Sequence, residues 1–290
     1  MNKIVQFPVI RILIAVLFVG VGIAIGQIIL NLLRSVLSIT DTGIANILAF
    51  VLITPIAYFS YALYVRLIEK RELTELSLSN AFREFGLGFL IGFGLFASVI
   101  LILWLLGLYT VNGFEFILLS LLGALFGAFV SALAQELVFR AVIYRITEEW
   151  LGTWWAVSIS AILFGLIHLS SAGATIFSTL AVALQAGVIL AAVYTLTHRI
   201  WMALGLHMAW DFANDGVFGV GIAGQSGESL KGLFQASLQG PELLNGGKFG
   251  IEGSLIALVI VLLAGIAILR ISMQNGQFIH RQKADQNLSP

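Results

Sequence analysis

Residues 134–145 read AQELVFRAVIYR, which sets Gln135, Glu136 and Arg140 into a stretch that is otherwise apolar. Two further polar groups lie in equally apolar surroundings: His168 closes FGLIH, and LHMAWDF carries His207 and Asp211. Glu136 and Arg140 are four residues apart, as are Phe164 and His168, and His207 and Asp211. On a helix that interval stacks two side chains on one face. A carboxylate and a histidine can together activate water as a general base. A second histidine with a carboxylate can orient that water or stabilise an oxyanion. The same types can hold a divalent metal such as zinc, here through Glu136, His168, His207 and Asp211. Hydrolysis by an activated water fits the set best.

The elements that must position these residues follow from composition. The chain has 290 residues, 59% hydrophobic and 10% charged, against roughly 45–50% and about 25% in an ordinary soluble domain. Apolar runs near the length of about 20 residues that a helix needs to cross a bilayer occur at 12–33, 44–65, 86–108, 116–139, 154–169, 174–196, 200–212 and 253–271. The runs are continuously apolar, which excludes a barrel of alternating ten-residue strands. The expected fold is an all-α membrane protein, an eight-helix transmembrane bundle. The first run lacks an A-x-A-like cleavage site and reads as a retained helix.

With the N-terminus inside, twelve Lys and Arg fall on the inner side, Arg140 counted there by its place in the chain, and three, Arg34, Lys231 and Lys248, fall outside. Positive residues collect on the cytoplasmic side, so both termini are expected in the cytoplasm. Net charge is zero, which argues against a nucleic-acid surface. The absence of cysteine removes thiolate nucleophiles, Cys-ligated metals and disulfides. Residues 1–272 read as one transmembrane domain and 273–290 as a frayed polar tail. A charged linker, RLIEKRELTELSLSNAFREF, reads either as a cytoplasmic linker with a short interfacial helix over 73–85 or as a solvated loop. The polar, glycine-rich stretch 214–252 reads as an outer loop with a small helix over 230–238.

An ionisable group inside the membrane is costly unless paired and marks a functional site by default. If the fourth and fifth helices turn near Gly152, Glu136 and His168 each lie about 16 residues, roughly 24 Å, from that turn. His207 and Asp211 lie roughly 12–20 Å from a second turn, near residues 198–199, on the same side. One buried cluster from three helices is expected, with Glu136, His168, His207 and Asp211 facing a common cavity. Upstream, Gly123, Gly127 and Ser131 lead to Gln135 at four-residue steps, a stripe that permits close helix approach. Each polar set alone could be a packing device. Three at matching depth argue for one site.

At these residues the chain resembles the CPBP family of intramembrane proteases, which includes CAAX prenyl endopeptidases of the Rce1 type and bacterial Abi proteins. The family motifs EExxxR, FxxxH and HxxxN or HxxxD read here as Gln135-Glu136 to Arg140, Phe164 to His168 and His207 to Asp211, in order and over roughly 73–211. The resemblance implies a membrane protease of peptide or membrane-anchored, lipidated substrates, in the bacterial inner membrane and in contact with its lipids. It implies that the first glutamate of EExxxR and the first histidine activate water, while the second histidine and its Asp or Asn support the oxyanion. Position 135 departs from the pattern. Glutamine takes no proton at neutral pH, so either Glu136 has taken over as base, or the chain is a non-catalytic, immunity-type relative, or the residue was changed to trap an inactive form.

Two rival readings are weaker. GQSG at 224–227 matches the rhomboid GxSG, but Ser226 sits in a polar loop and the one later histidine is His280. A proton-coupled transporter would also bury Glu, His and Asp, yet no paired repeat is visible.

Overall fold

The computed structural model describes residues 5–220 and 232–280. Long runs of Leu, Ile, Val, Ala and Phe become helices because a chain in lipid must satisfy its backbone groups internally. They are α1 (Pro8–Val36), α2 (Thr42–Tyr64), α3 (Ala81–Leu105), α4 (Leu118–Glu136), α5 (Arg145–Leu151) and α6 (Thr153–Ile167), followed by α7 (Ile176–Val182), α8 (Val188–Thr197), α9 (Ile200–Phe212), α10 (Glu242–Asn245) and α11 (Leu255–Gln274). Wider π-helical turns interrupt or extend several of them. Val65–Glu69 extends α2, Leu137–Tyr144 joins α4 to α5, Ala183–Gly187 joins α7 to α8, and Ala213–Val217 extends α9. Among the described residues seven helical rods are long and apolar enough to cross a membrane, including Leu118–Leu151 and Ile176–Thr197.

The seventh apolar run, 200–212, behaves differently. It forms α9, a helix of 13 residues, shorter than the roughly 20 that span a bilayer, and nearly every side chain on it is buried. It is a core helix, packed most closely on α3. A Cβ at Gly205 would collide with the Phe85 carbonyl, so the absence of a side chain there lets the two backbones touch. On the other side of the site the small-residue stripe of α4 meets α2. Gly123 lies against the backbone of Gly43, and Asn46 Nδ2 donates to the Gly123 carbonyl at 3.1 Å.

Two helices expected from sequence are not found among the described residues. Over 73–85 the chain runs through turns, and helix begins only at Ala81, behind Asn80 in the left-handed region. This linker is not a solvated loop. Glu75 is 1% exposed, bound by Arg71 Nη2 at 2.6 Å and by the Tyr61 hydroxyl. Its carbonyl accepts from Ile200 N at 3.1 Å, and the Ser77 carbonyl accepts from Trp201 Nε1 at 2.8 Å, which ties the linker to the start of α9. In the outer loop, residues 234–238 form a strand, β2 (Phe234–Leu238), where part of the 230–238 helix was expected. Leu230 lies outside the described residues. FQASL alternates apolar with polar, the period of a strand, and β2 pairs antiparallel with β1 (Tyr109–Phe114), Tyr109 opposite Leu238 and Phe114 opposite Phe234.

The end of the molecule away from this ribbon carries an ion network. Arg11, Arg71 and Arg145 each contact Glu69, Arg145 reaches Glu149 at 2.6 Å, and Arg11 reaches Glu149 at 3.0 Å. Arg145 Nε also donates to the Ala141 carbonyl at 2.9 Å, which anchors this end of the long rod. Arg140 is not part of this face. It is 0% exposed and lies in the core, so it leaves the inner-side tally. Of the tail expected at 273–290, the described residues up to 280 are held: α11 runs to Gln274, and Thr153 N donates to the Ile279 carbonyl at 3.0 Å while Phe278 packs on Trp154.

Candidate active site

The polar residues of α4, α6 and α9 meet around one benzene ring. Phe164 is buried, with the His168 ring 5.1 Å from its centroid, the His207 ring at 5.8 Å and the Arg140 guanidinium 4.9 Å above its face. The four-residue step from Phe164 to His168 places ring and imidazole on one side of α6. The gap in π-helical register around the site has a use: the carbonyl of Gly187, the last residue of the Ala183–Gly187 turn, accepts from Arg140 Nη2 at 3.2 Å. Such turns concentrate at functional sites because they free backbone groups from the regular ladder. Here they flank the site on α4, α7 and α9.

Consecutive residues on a helix diverge by about 100°, and Gln135 and Glu136 part accordingly. Gln135 points into a cavity of about 70 Å³, shared with His168, His207 and Asp211 and backed by Ser131, Trp210, Gln185 and Glu252. That volume holds a few water molecules. Glu136 turns the other way, into the core. It is 0% exposed, with Oε2 3.2 Å from Arg140 Nε and Oε1 2.8 Å from His207 Nδ1. The expectation that Glu136 would share the cavity with the two histidines and Asp211 is therefore corrected. Gln135 holds that place, and Glu136 with Arg140 lies behind His207.

The hydrogen bonds decide how each imidazole is presented. A carbonyl only accepts, so the 2.8 Å contact from His168 Nδ1 to the Phe164 carbonyl puts the proton on Nδ1 and leaves Nε2 as the free nitrogen. His207 donates from Nδ1 to the Glu136 carboxylate, and its Nε2 lies 3.8 Å from Asp211 Oδ2. Gln135 Nε2 donates to Ser131 Oγ at 3.2 Å, while its Oε1 has no protein partner. The stripe of small residues on α4 thus packs on α2 at its outer half and turns into the cavity wall at Ser131 and Gln135.

Two wall residues were not singled out from sequence. Gln185 is 2% exposed, with Nε2 bound to the Glu252 carbonyl and Oε1 without a protein partner. Glu252, just before α11, accepts from Trp210 Nε1 at 3.1 Å. Gln185, as the one polar side chain in the apolar run 174–196 between Thr179 and Thr195, carried a signal of the same kind as Gln135. Glu252 carried none, because its place depends on how the outer loop folds back. As ligands for a divalent metal, Glu136, His168, His207 and Asp211 do not fit: Glu136 is taken up by Arg140 and His207, and among the described residues no three His, Asp or Glu side chains are grouped to hold an ion. Ser226 of GQSG lies outside the described residues, and His280 is exposed beside the tail contact with Thr153.

Residues 117–213 match the family model described as type II CAAX prenyl endopeptidase, Rce1-like. This central segment is similar to Rce1-like proteins. The matched segment runs from the start of α4 through α9 and contains all three motifs, so the family match and the polar cluster rest on the same residues. Rce1-like proteins are proteases, and the apolar rods around this core make the chain a multi-pass membrane protein. No curated protein and no solved structure matches the chain.

Proposed function

We propose that the chain has the architecture of an intramembrane endopeptidase acting on membrane-associated polypeptides, and that Gln135 holds it in an inactive or nearly inactive form. The reading is carried by one observation: the unpartnered Oε1 of Gln135 faces the same water-sized cavity as His168 and His207. A water in that cavity would donate one proton to Gln135 Oε1 and lie against the free nitrogen of His168. With glutamate at position 135 the proton would leave water for the carboxylate as oxygen attacks the peptide carbonyl, His168 sharing the load. His207, flanked by Glu136 and Asp211, would then support the developing oxyanion. Prenylated protein termini are the substrates that the family description carries. No step is assigned to a metal.

An amide keeps the shape of a carboxylate and its hydrogen bond to Ser131 but takes no proton. General-base help is typically worth 10²–10⁴-fold in rate, so the chain is expected to cleave peptides slowly or not at all and Gln135→Glu to restore a rate of that order. Stability should change by no more than about 1–2 kcal/mol, the usual scale of one polar substitution. The test is cleavage of a labelled peptide library in detergent by both forms. Full activity in the chain with Gln135, lost on Glu136→Gln, would show that the residue behind His207 is the base. The second reading, a non-catalytic membrane protein on a protease scaffold, is favoured by Gln135 itself, and it would gain if Gln135→Glu also remained silent.

A further inference from the structure

The cavity lies nearest one end of the bundle, where His168 and Glu252 line it, and that end is not the one that carries the arginines. On the arginine side the site is backed by buried residues: Arg140, Glu136, Tyr144 and Tyr194 are at most 1% exposed, and Phe139 is 5% exposed. Below them lie the Tyr144–Thr195 contact at 2.6 Å and the network of Arg11, Glu69 and Arg145. Toward the opposite side the cavity lining includes His168, just past α6, and Glu252, on the loop that precedes α11, both half-buried. Beside them a cleft of about 420 Å³ runs between the turn that starts α7, at Gly173, Thr175 and Ser178, and the outer loop at Glu242, Lys248 and Gly253. That is the size of a small-ligand or peptide side-chain pocket, commonly about 300–1,000 Å³, and its lining ends one residue from Glu252.

Charge assigns the two ends to sides of the membrane. The inner positions collect Lys3, Arg11, Arg66, Lys70, Arg71, Arg83, Arg145, Arg199, Arg270, Arg281 and Lys283, whereas the other end has Arg34, Lys231 and Lys248. Short loops rich in Lys and Arg stay in the cytoplasm. We propose that the cavity is entered from the extracytoplasmic face, past His168 and Glu252, so that its substrates are polypeptide segments presented outside the cytoplasm at the membrane surface rather than lipidated tails in the cytosol. This deepens the protease reading by naming where the substrate comes from; the direction of opening itself does not depend on whether any bond is cut.

The absence of cysteine makes a direct test available. Single cysteines are placed at Ala172, exposed beside the cleft, at Glu72, exposed on the arginine face, and at Leu95, in the cavity wall. Intact cells are treated with a membrane-impermeant maleimide for the surface positions and a small charged thiosulfonate for Leu95→Cys, which reacts only where water reaches the thiol. Ala172→Cys and Leu95→Cys are expected to label from outside, and Glu72→Cys only after the membrane is opened. Labelling of Glu72→Cys but not Ala172→Cys in intact cells would overturn the orientation. Labelling of Ala172→Cys with Leu95→Cys reactive only from the cytoplasmic side would overturn the entrance. Neither readout uses peptidase activity, so a silent Gln135→Glu variant would count against the protease reading and leave this inference standing.

Discussion

Arg140 is held at its post by three contacts of different kinds: the Glu136 carboxylate at 3.2 Å, the Gly187 carbonyl at 3.2 Å and the Phe164 ring at 4.9 Å. Two of its nitrogens, Nε and Nη1, make no well-formed hydrogen bond to protein, so little slack exists to replace a lost partner. Removing one member of a buried ion pair leaves the other uncompensated and typically costs about 3–5 kcal/mol, whereas replacing both is far milder. Arg140→Met should therefore lower thermal stability in detergent by about that amount, and Glu136→Gln with Arg140→Met should recover part of it. A double variant no better than Arg140→Met would mean that Arg140 acts through Gly187 and Phe164 instead. The four-residue spacing made the Glu136–Arg140 pair legible, as it did His207 with Asp211. What it could not show is the partition of Gln135 and Glu136 between cavity and core, because helix rotation is set by the packing of Gly123 and Gly127 on α2, which lies far off in the chain.

The helices were readable wherever apolar length alone dictates them, and the site depends most on one contact between them that length does not dictate. Helix α9 carries His207 and Asp211 and is placed by its fit on α3, where Gly205 faces the Phe85 backbone. Gly205→Val should force the helices apart, at the upper end of the roughly 1–3 kcal/mol that overpacking costs, and should loosen the His207–Glu136 bond even though position 205 touches neither residue. The check pairs thermal unfolding with the activity of a Gln135→Glu background; a stable, fully active Gly205→Val form would show that α9 is positioned by α4 alone. The β1–β2 ribbon escaped a local reading for another reason. The alternation in FQASL is visible, but its partner, TVNGF with Tyr109 before it, lies more than a hundred residues upstream, and a lone strand of five residues is indistinguishable from a loop or a helix turn until the pair is known.

Across the whole molecule, the charges gather into a polar floor at one end of the bundle. The linker that looked solvated is the floor: Arg71 and Arg145 converge with Glu69 and Glu75 there, and the loop that carries them holds the start of α9 through Ile200 and Trp201. Sequence showed the charges but not their pairing, since an exposed loop and a buried network have the same composition. Acid should expose the difference. Burial pushes the Glu75 carboxyl upward, but the bonds from Arg71 and the field of Arg145 more than reverse this, so it lies below the ordinary carboxylate value, which is about 4.3 for glutamate. A group whose native value is depressed adds stability that is fully present above the unfolded value and is lost as pH falls through the native one. The thermal stability of the chain should hold from neutral pH to about pH 5 and then fall through the range below about pH 4.3. Glu75→Gln lacks this titration: its stability deficit relative to the parent should be greatest at neutral pH and shrink as acid removes the parent's advantage. A deficit that stays constant from pH 7 to pH 3 would mean that Glu75 stabilises the floor through packing and not through its charge.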